Sequence, residues 1–201
     1  MSALIKICGM NNAEMIKTAI SNKVDYLGFV FYEKSPRNLT VDEAKVLTNL
    51  VPTNIKKVAV LVDPDDNFLE QSKTLFDFFQ LHGSETNQRI KAVKSKFNNK
   101  IIKAVKIKTK EDLEQINKFK DADDLLIDTP AMERSETFDF NLLKGVDISS
   151  YFLAGGINIK NVDQALKHSR KLDLSSGLEI KPGMKDAKKI IEFMNKVKNN
   201  A

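Results

Sequence analysis

The sequence predicts an α/β protein, a single closed (β/α)8 barrel (a TIM barrel) with a reduced sixth βα unit. Three observations predict it. Eight strand-like apolar runs recur at intervals of roughly 20 to 30 residues. Helical patterns fill most of the gaps, and strict strand–helix alternation implies a parallel sheet. Polar residues and glycines gather where the runs end, which is where such a barrel carries chemistry. A doubly wound open sheet is the structural alternative, but eight units favour closure.

The runs are Leu4–Cys8, Asp25–Phe31, Lys57–Val62, Phe76–Leu81, Ile101–Ile107, Asp124–Asp128, Tyr151–Ala154 and Leu172–Ser175. Most are dense in Ile, Val, Leu and Phe, as strands covered on both faces should be. After the second run, Thr40 and Glu43 form a capping box, and Ala44, Leu47 and Val51 follow at helical spacing. Ser84 or Thr86 can start the helix carrying Ile90, Val93 and Phe97, and Thr109 can cap one carrying Leu113, Ile116 and Phe119. After the sixth run only Phe138 to Leu143 can carry a short helix. The last helix presents Ala187, Ile190, Ile191, Met194 and Val197 on one face.

Composition narrows the function. The 201 residues can bury about 70% of their unfolded surface, and no composition shift divides them, so one domain over 1–201 is expected. No run is long enough to cross a bilayer, and the N-terminus resembles no signal peptide. A cytoplasmic protein without membrane contact is expected. One cysteine and two histidines disfavour disulfides and a His/Cys metal site. The net charge of +5 comes without tryptophan and with three tyrosines, and much of the excess is lysine beside asparagine. That describes solvated faces rather than a nucleic-acid footprint.

Period-two alternation points Lys6 and Cys8 into the barrel and Ile5 and Ile7 toward the helices. Asp173 and Ser175 share a face on the eighth run. The first and eighth runs are neighbours on closure, so Lys6 and Asp173 are candidate buried partners. Cys8, at a strand end beside Lys6, is a candidate thiolate base, since an ammonium lowers a thiol pKa. Asp128, at another strand end facing a closed pocket, is a candidate acid with its pKa raised toward neutrality. His82 ends the fourth run and reads most simply as a satisfied hydrogen-bonding histidine. Gly155-Gly156 before Asn158, and Ser175-Ser176-Gly177, each read as opening a helix. Glycines let backbone approach an anion and free N–H groups bind it, and the last two βα loops are the usual phosphate site of such barrels.

Taken together, Ile5–Met10 (IKICGM), Gly28–Arg37 (GFVFYEKSPR), Gln80–Gly83 (QLHG), Leu125–Asp128 (LLID), Phe138–Phe140 (FDF), Leu153–Ile157 (LAGGI), Asn161–Val162, Asp173–Glu179 (DLSSGLE) and Pro182–Asp186 (PGMKD) resemble the phosphoribosylanthranilate isomerase family. They span nearly the whole chain in family order. The resemblance implies the Amadori rearrangement of N-(5-phosphoribosyl)anthranilate to 1-(2-carboxyphenylamino)-1-deoxyribulose 5-phosphate in tryptophan biosynthesis. It implies Asp128 as general acid, Cys8 as general base, Arg37 on the anthranilate carboxylate, and phosphate held by backbone N–H groups around Gly156 and Ser176. Lys6, His82 and Asp173 complete the expected substrate site. The expected partner is a small phosphoribosyl substrate, with no metal or organic cofactor, and the expected state is a monomer or weak homodimer. Another phosphosugar isomerase and a catalytically silent phosphate-ligand binder are the alternatives. One departure concerns Thr129 to Thr137, which lacks the glycines usual in the family and predicts a loop that covers the site less completely.

Overall fold

The computed structural model describes residues 3–130 and 137–199, the side chains of 198 and 199 apart. Eight parallel strands close into a barrel: β1 (Leu4–Cys8), β2 (Tyr26–Phe31), β3 (Lys56–Leu61), β4 (Phe78–Leu81), β5 (Lys100–Lys106), β6 (Asp124–Asp128), β7 (Phe152–Leu153) and β8 (Lys171–Leu174). Pairing of β1 with β8 completes the ring and sets Lys6 opposite Asp173. The observed strands match the expected runs to within two residues. The fourth starts later because Leu75 is still turning, its N–H donating to Ser72 O.

The helices are α1 (Ala13–Ser21), α2 (Val41–Thr48), α3 (Asp66–Ser72), α4 (Asn87–Lys96), α5 (Val162–Ala165) and α6 (Ala187–Asn199). The box before α2 is formed: Thr40 N–H donates to Glu43 Oε2 at 2.8 Å, and Glu43 N–H donates to Thr40 Oγ1 at 3.2 Å. Thr86 caps α4 by accepting from Arg89 N–H, while Ser84 donates to Asp63. On α6 the buried face is Ile190, Phe193, Met194 and Val197, with Ile191 41% exposed. Ile191 lies at the edge of the apolar arc, and Phe193 takes the contact assigned to it. Each such burial contributes roughly 1.5–3 kcal/mol.

The sixth unit is reduced to a 3-10 turn, Phe140–Leu143, but it is not alone. Glu111–Lys118 is also a 3-10 stretch, and α5 has a single turn. Thr109 caps nothing; instead the Asp112 carboxylate accepts from Lys108 and Thr109 N–H, tightening the entry. After β8 comes an antiparallel pair, β9 (Glu179–Lys181) and β10 (Met184–Lys185), before α6.

Two cores result. Ile5, Ile7, Leu27, Phe29 and Leu172 pack outward against the helices. Val30, Val58, Val60, Ile102, Leu126 and Phe152 fill the interior with Cys8. Tyr26 makes edge contacts with Phe78 and Phe152 at 5.8 and 5.2 Å and plugs the end where the strands begin. The opposite end is polar. Among the described residues no helix is long and apolar enough to cross a membrane.

Candidate active site

A cavity of about 700 Å³ opens at the carboxyl ends of the strands. Cys8, Arg37, His82, Asp128, Gly155, Gly156, Asp173, Ser175 and Ser176 line it, as do Gln80 and Thr129. Lys6 and Gly177 stand behind this lining. Cys8 on β1 and Asp128 on β6 sit three strands apart around the ring, so the two groups face a common space from different walls. Gly28 makes room for the thiol: a Cβ there would lie 3.1 Å from both Cys8 Sγ and Lys6 Nζ.

Lys6 is fully buried and donates to both Asp173 oxygens at 3.0 Å. The pairing expected from register is therefore present, and it reverses the expectation for Cys8. Burial pushes the thiol pKa up more than Lys6 pulls it down, and Asp173 opposes the thiolate. The ammonium is already neutralised by its carboxylate partner.

Asp128 behaves as expected. Burial, and then the charge of Asp173, raise its pKa to about 7, against a 2.8 Å hydrogen bond from Thr129 N–H. His82 Nε2 lies 3.6 Å from Asp128 Oδ2. The imidazole is not satisfied as expected: Nε2 is buried without a hydrogen-bond partner, as is Gln80 Oε1. Burial and then the charges of Lys6, Lys106 and Lys103 lower the His82 pKa to about 3, so the ring is neutral. A buried polar atom without a partner costs roughly 1–3 kcal/mol, and a ligand hydroxyl would satisfy either atom. Gln80 is a lining residue given no role from sequence; its signals are the QLHG string and its place two before His82 on an inward face.

Arg37 reaches the cavity from the loop after β2, but its guanidinium is not free. Nε and Nη2 donate to the two Glu179 oxygens, each at 2.7 Å, leaving Nη1 outside the pair. Glu179 and Lys185, bonded at 2.6 Å, belong to this wall and were visible in sequence only as motif letters.

The glycine-rich loops correct one expectation. No helix opens at Gly156; α5 begins six residues later, and only a 3-10 turn, Ser176–Leu178, follows Ser175. The peptide after Gly156 is held instead by Asn158 and Asn161, whose amides donate to Gly156 O at 2.8 and 3.1 Å. The two loops touch: a Cβ on Gly177 would lie 2.0 Å from Ile157 O, so only glycine fits. The cavity wall at these two loops is therefore loop backbone rather than a helix start. The expectation for Thr129 to Thr137 falls mainly on 131–136, outside the described residues, although Thr129 and Pro130 line the cavity. Among the described residues no three His, Cys, Asp or Glu side chains gather to hold a metal ion.

A barrel whose mouth joins a raised-pKa carboxyl, a thiol, an arginine and a two-loop glycine cradle defines a class: phosphosugar enzymes working by acid–base chemistry. The particular member follows from comparison. The sequence profile of N-(5'phosphoribosyl)anthranilate (PRA) isomerase matches residues 5–196. The chain is 38% identical to the N-(5'-phosphoribosyl)anthranilate isomerase of Zymomonas mobilis, over 98% of this chain and 99% of that one. A crystal structure of phosphoribosyl anthranilate isomerase with reduced 1-(o-carboxyphenylamino)-1-deoxyribulose 5-phosphate superposes with a TM-score of 0.86 at 28% identity, covering 98% and 99% of the two chains. Monomers of the dimeric isomerase from Thermotoga maritima give 0.86 at 29% identity with the same coverage. The chain belongs to the phosphoribosylanthranilate isomerase family.

Proposed function

We propose that this chain carries out the family's isomerisation, with Asp128 as general acid and Cys8 as general base. The enzyme converts N-(5-phosphoribosyl)anthranilate to 1-(2-carboxyphenylamino)-1-deoxyribulose 5-phosphate in tryptophan biosynthesis. Asp128 donates its proton to the furanose ring oxygen as the bond from C1′ to that oxygen breaks, and the anthranilate nitrogen lone pair forms the Schiff base. Cys8 thiolate then takes the C2′ proton, giving an enolamine. Tautomerisation returns a proton to C1′ and leaves the C2′ ketone. C1′ is reduced and C2′ oxidised within one molecule, so the balance needs no external redox partner.

The observation that carries the reading is Asp128: a carboxyl with a pKa near 7 at a strand end, facing the wall that holds the only cysteine. Arg37 Nη1 takes the substrate carboxylate, and the loop amides at Gly156 and Ser176 take the phosphate. Neutral His82 and Gln80 meet the sugar hydroxyls. Asp173 and Lys6 form the floor beneath. The silent-binder alternative is not favoured, since a mere phosphate binder has no use for a raised-pKa carboxyl. We further propose that the 1–201 chain is one domain, acts in the cytoplasm as monomer or weak homodimer, and binds no nucleic acid or membrane. Purified protein should consume phosphoribosylanthranilate, read as loss of its fluorescence. Absence of turnover with a folded protein would reject the activity.

A further inference from the structure

Glu179 is buried, with 3% of its side chain exposed, and Lys185 shows 1%. Glu179 Oε1 accepts from Arg37 Nε at 2.7 Å and from Lys185 Nζ at 2.6 Å, while Oε2 accepts from Arg37 Nη2. Two cations share one anion, so the cluster keeps one net positive charge at the cavity wall. The Arg37 stem is also confined: a Cβ on Gly9 would lie 2.4 Å from Arg37 Cδ, and one on Gly183 would lie 2.5 Å from Pro36 O. The β9–β10 turn is itself tied down, with Asn11 donating to Gly183 O at 3.0 Å. From the same cluster Lys185 Nζ reaches Ser175 Oγ at 3.5 Å, and Ser175 Oγ donates to Cys8 O at 3.3 Å.

We propose that Glu179 is a positioning residue that aims Arg37 Nη1 into the cavity and, by holding Lys185, sets the positive field at Cys8. This rests on the isomerase reading for the role of Arg37. The charged groups facing Cys8 are Lys6 from β1, Asp173 from β8, Lys185 from β10 and Arg37 from the loop after β2; Asp128 and His82 stand on other walls of the cavity. Removing the Glu179 charge leaves Arg37 and Lys185 uncompensated, and both favour a thiolate. It also returns rotamer freedom to Arg37, at a cost of up to about tenfold in affinity.

The test compares wild type, Glu179→Gln and Lys185→Met. With phosphoribosylanthranilate, Glu179→Gln should raise KM about tenfold and change kcat by less than about threefold. Alkylation by iodoacetamide against pH reports Cys8 alone, because the chain has one cysteine. The alkylation midpoint should move to lower pH in Glu179→Gln and to higher pH in Lys185→Met. A purely structural glutamate would lower stability and leave those midpoints in place. An unchanged KM in Glu179→Gln, or midpoints that do not move in these opposite directions, overturns the proposal. If Glu179→Gln does not fold, Lys185→Met decides by its midpoint. Wild-type protein without turnover would reject the isomerase reading instead, and the alkylation arm would still decide the field at Cys8.

Discussion

The pH profile should place the acid's pKa below the base's, the reverse of the order in which a base titrates before its acid partner. The proposed mechanism needs Asp128 protonated and Cys8 as thiolate. Asp128 titrates at about 7, and Cys8 titrates above an ordinary thiol, itself about 8.5. The working form is therefore a minority species. The kcat/KM profile should rise to about pH 7, stay level, and fall above the thiol value. The break near 7 is the Asp128 ionisation, although His82 is the group usually suspected there. At a pKa of about 3 the imidazole contributes none of it. The perturbation is the pair of variants Asp128→Asn and His82→Asn, assayed by fluorescence loss from pH 5 to 10. Asp128→Asn should lower kcat by roughly 10²–10⁴-fold, and its remaining activity should rise until the thiol itself titrates. His82→Asn should keep the break near 7. Asp128 and His82 are 3.6 Å apart, so both variants are needed to show which of them carries the break. A break near 7 that disappears with His82 and survives loss of Asp128, or an NMR imidazolium signal at pH 6 that is absent from His82→Asn, would refute the reasoning.

The other predictions follow from the same geometry. Cys8→Ala should lower kcat by about 10²–10⁴-fold with ligand binding near normal; retention of more than about a tenth, with chemistry limiting, rejects the base. Arg37→Ala should reduce kcat/KM by about one to two decades, since a hydrogen bond to a charged group is worth roughly 1.5–3 kcal/mol. An analogue lacking the carboxylate should be indifferent to that change, and equal sensitivity of both substrates would reject the role. Asp128 should also limit stability. Its carboxyl holds a proton in the folded state up to about pH 7 but ionises near 3.9 when unfolded. Stability is then lost as pH rises from about 4 to 7, by up to roughly 4 kcal/mol. Asp128→Asn should be more stable than wild type to urea at pH 8, and the difference should vanish toward pH 4; a difference independent of pH would show that ionisation is not its cause.

Much of the fold was legible because barrel strands obey two simple rules. Alternation placed Lys6 and Cys8 inside and Ile5 and Ile7 outside, and closure made β1 and β8 neighbours, which together predicted the Lys6–Asp173 pair. What escaped was set by contacts distant in sequence. Arg37 and Glu179 are 142 residues apart, and nothing local in either segment marks one as the partner of the other. The raised pKa of the thiol is hidden for a related reason. Beside Cys8, Lys6 reads as a free cation, while the register gives its charge to Asp173. Glu111–Lys118 has helical periodicity, but periodicity does not distinguish an α-helix from a 3-10 stretch tightened by Asp112.

The two ends of the barrel divide stability from chemistry. At the end where the strands begin, Tyr26, Phe78 and Phe152 interlock, and such aromatic contacts add to stability without leaving a charge buried alone. At the other end three buried ion pairs gather: Lys6–Asp173, Lys103–Glu85 and Lys185–Glu179. Pairs of this kind contribute little net stability, because desolvation offsets most of the attraction. Hydrophobic residues of similar size would hold the mouth at least as well. They could not fix Arg37, nor hold the loop before α4 through Lys103, which donates to Gly83 O next to His82 at 2.8 Å. Burial, more than any charge, keeps the Asp128 carboxyl protonated toward neutral pH. The charge network at the mouth is therefore explained by what it positions, while the aromatic end and the outer core keep the barrel closed around it.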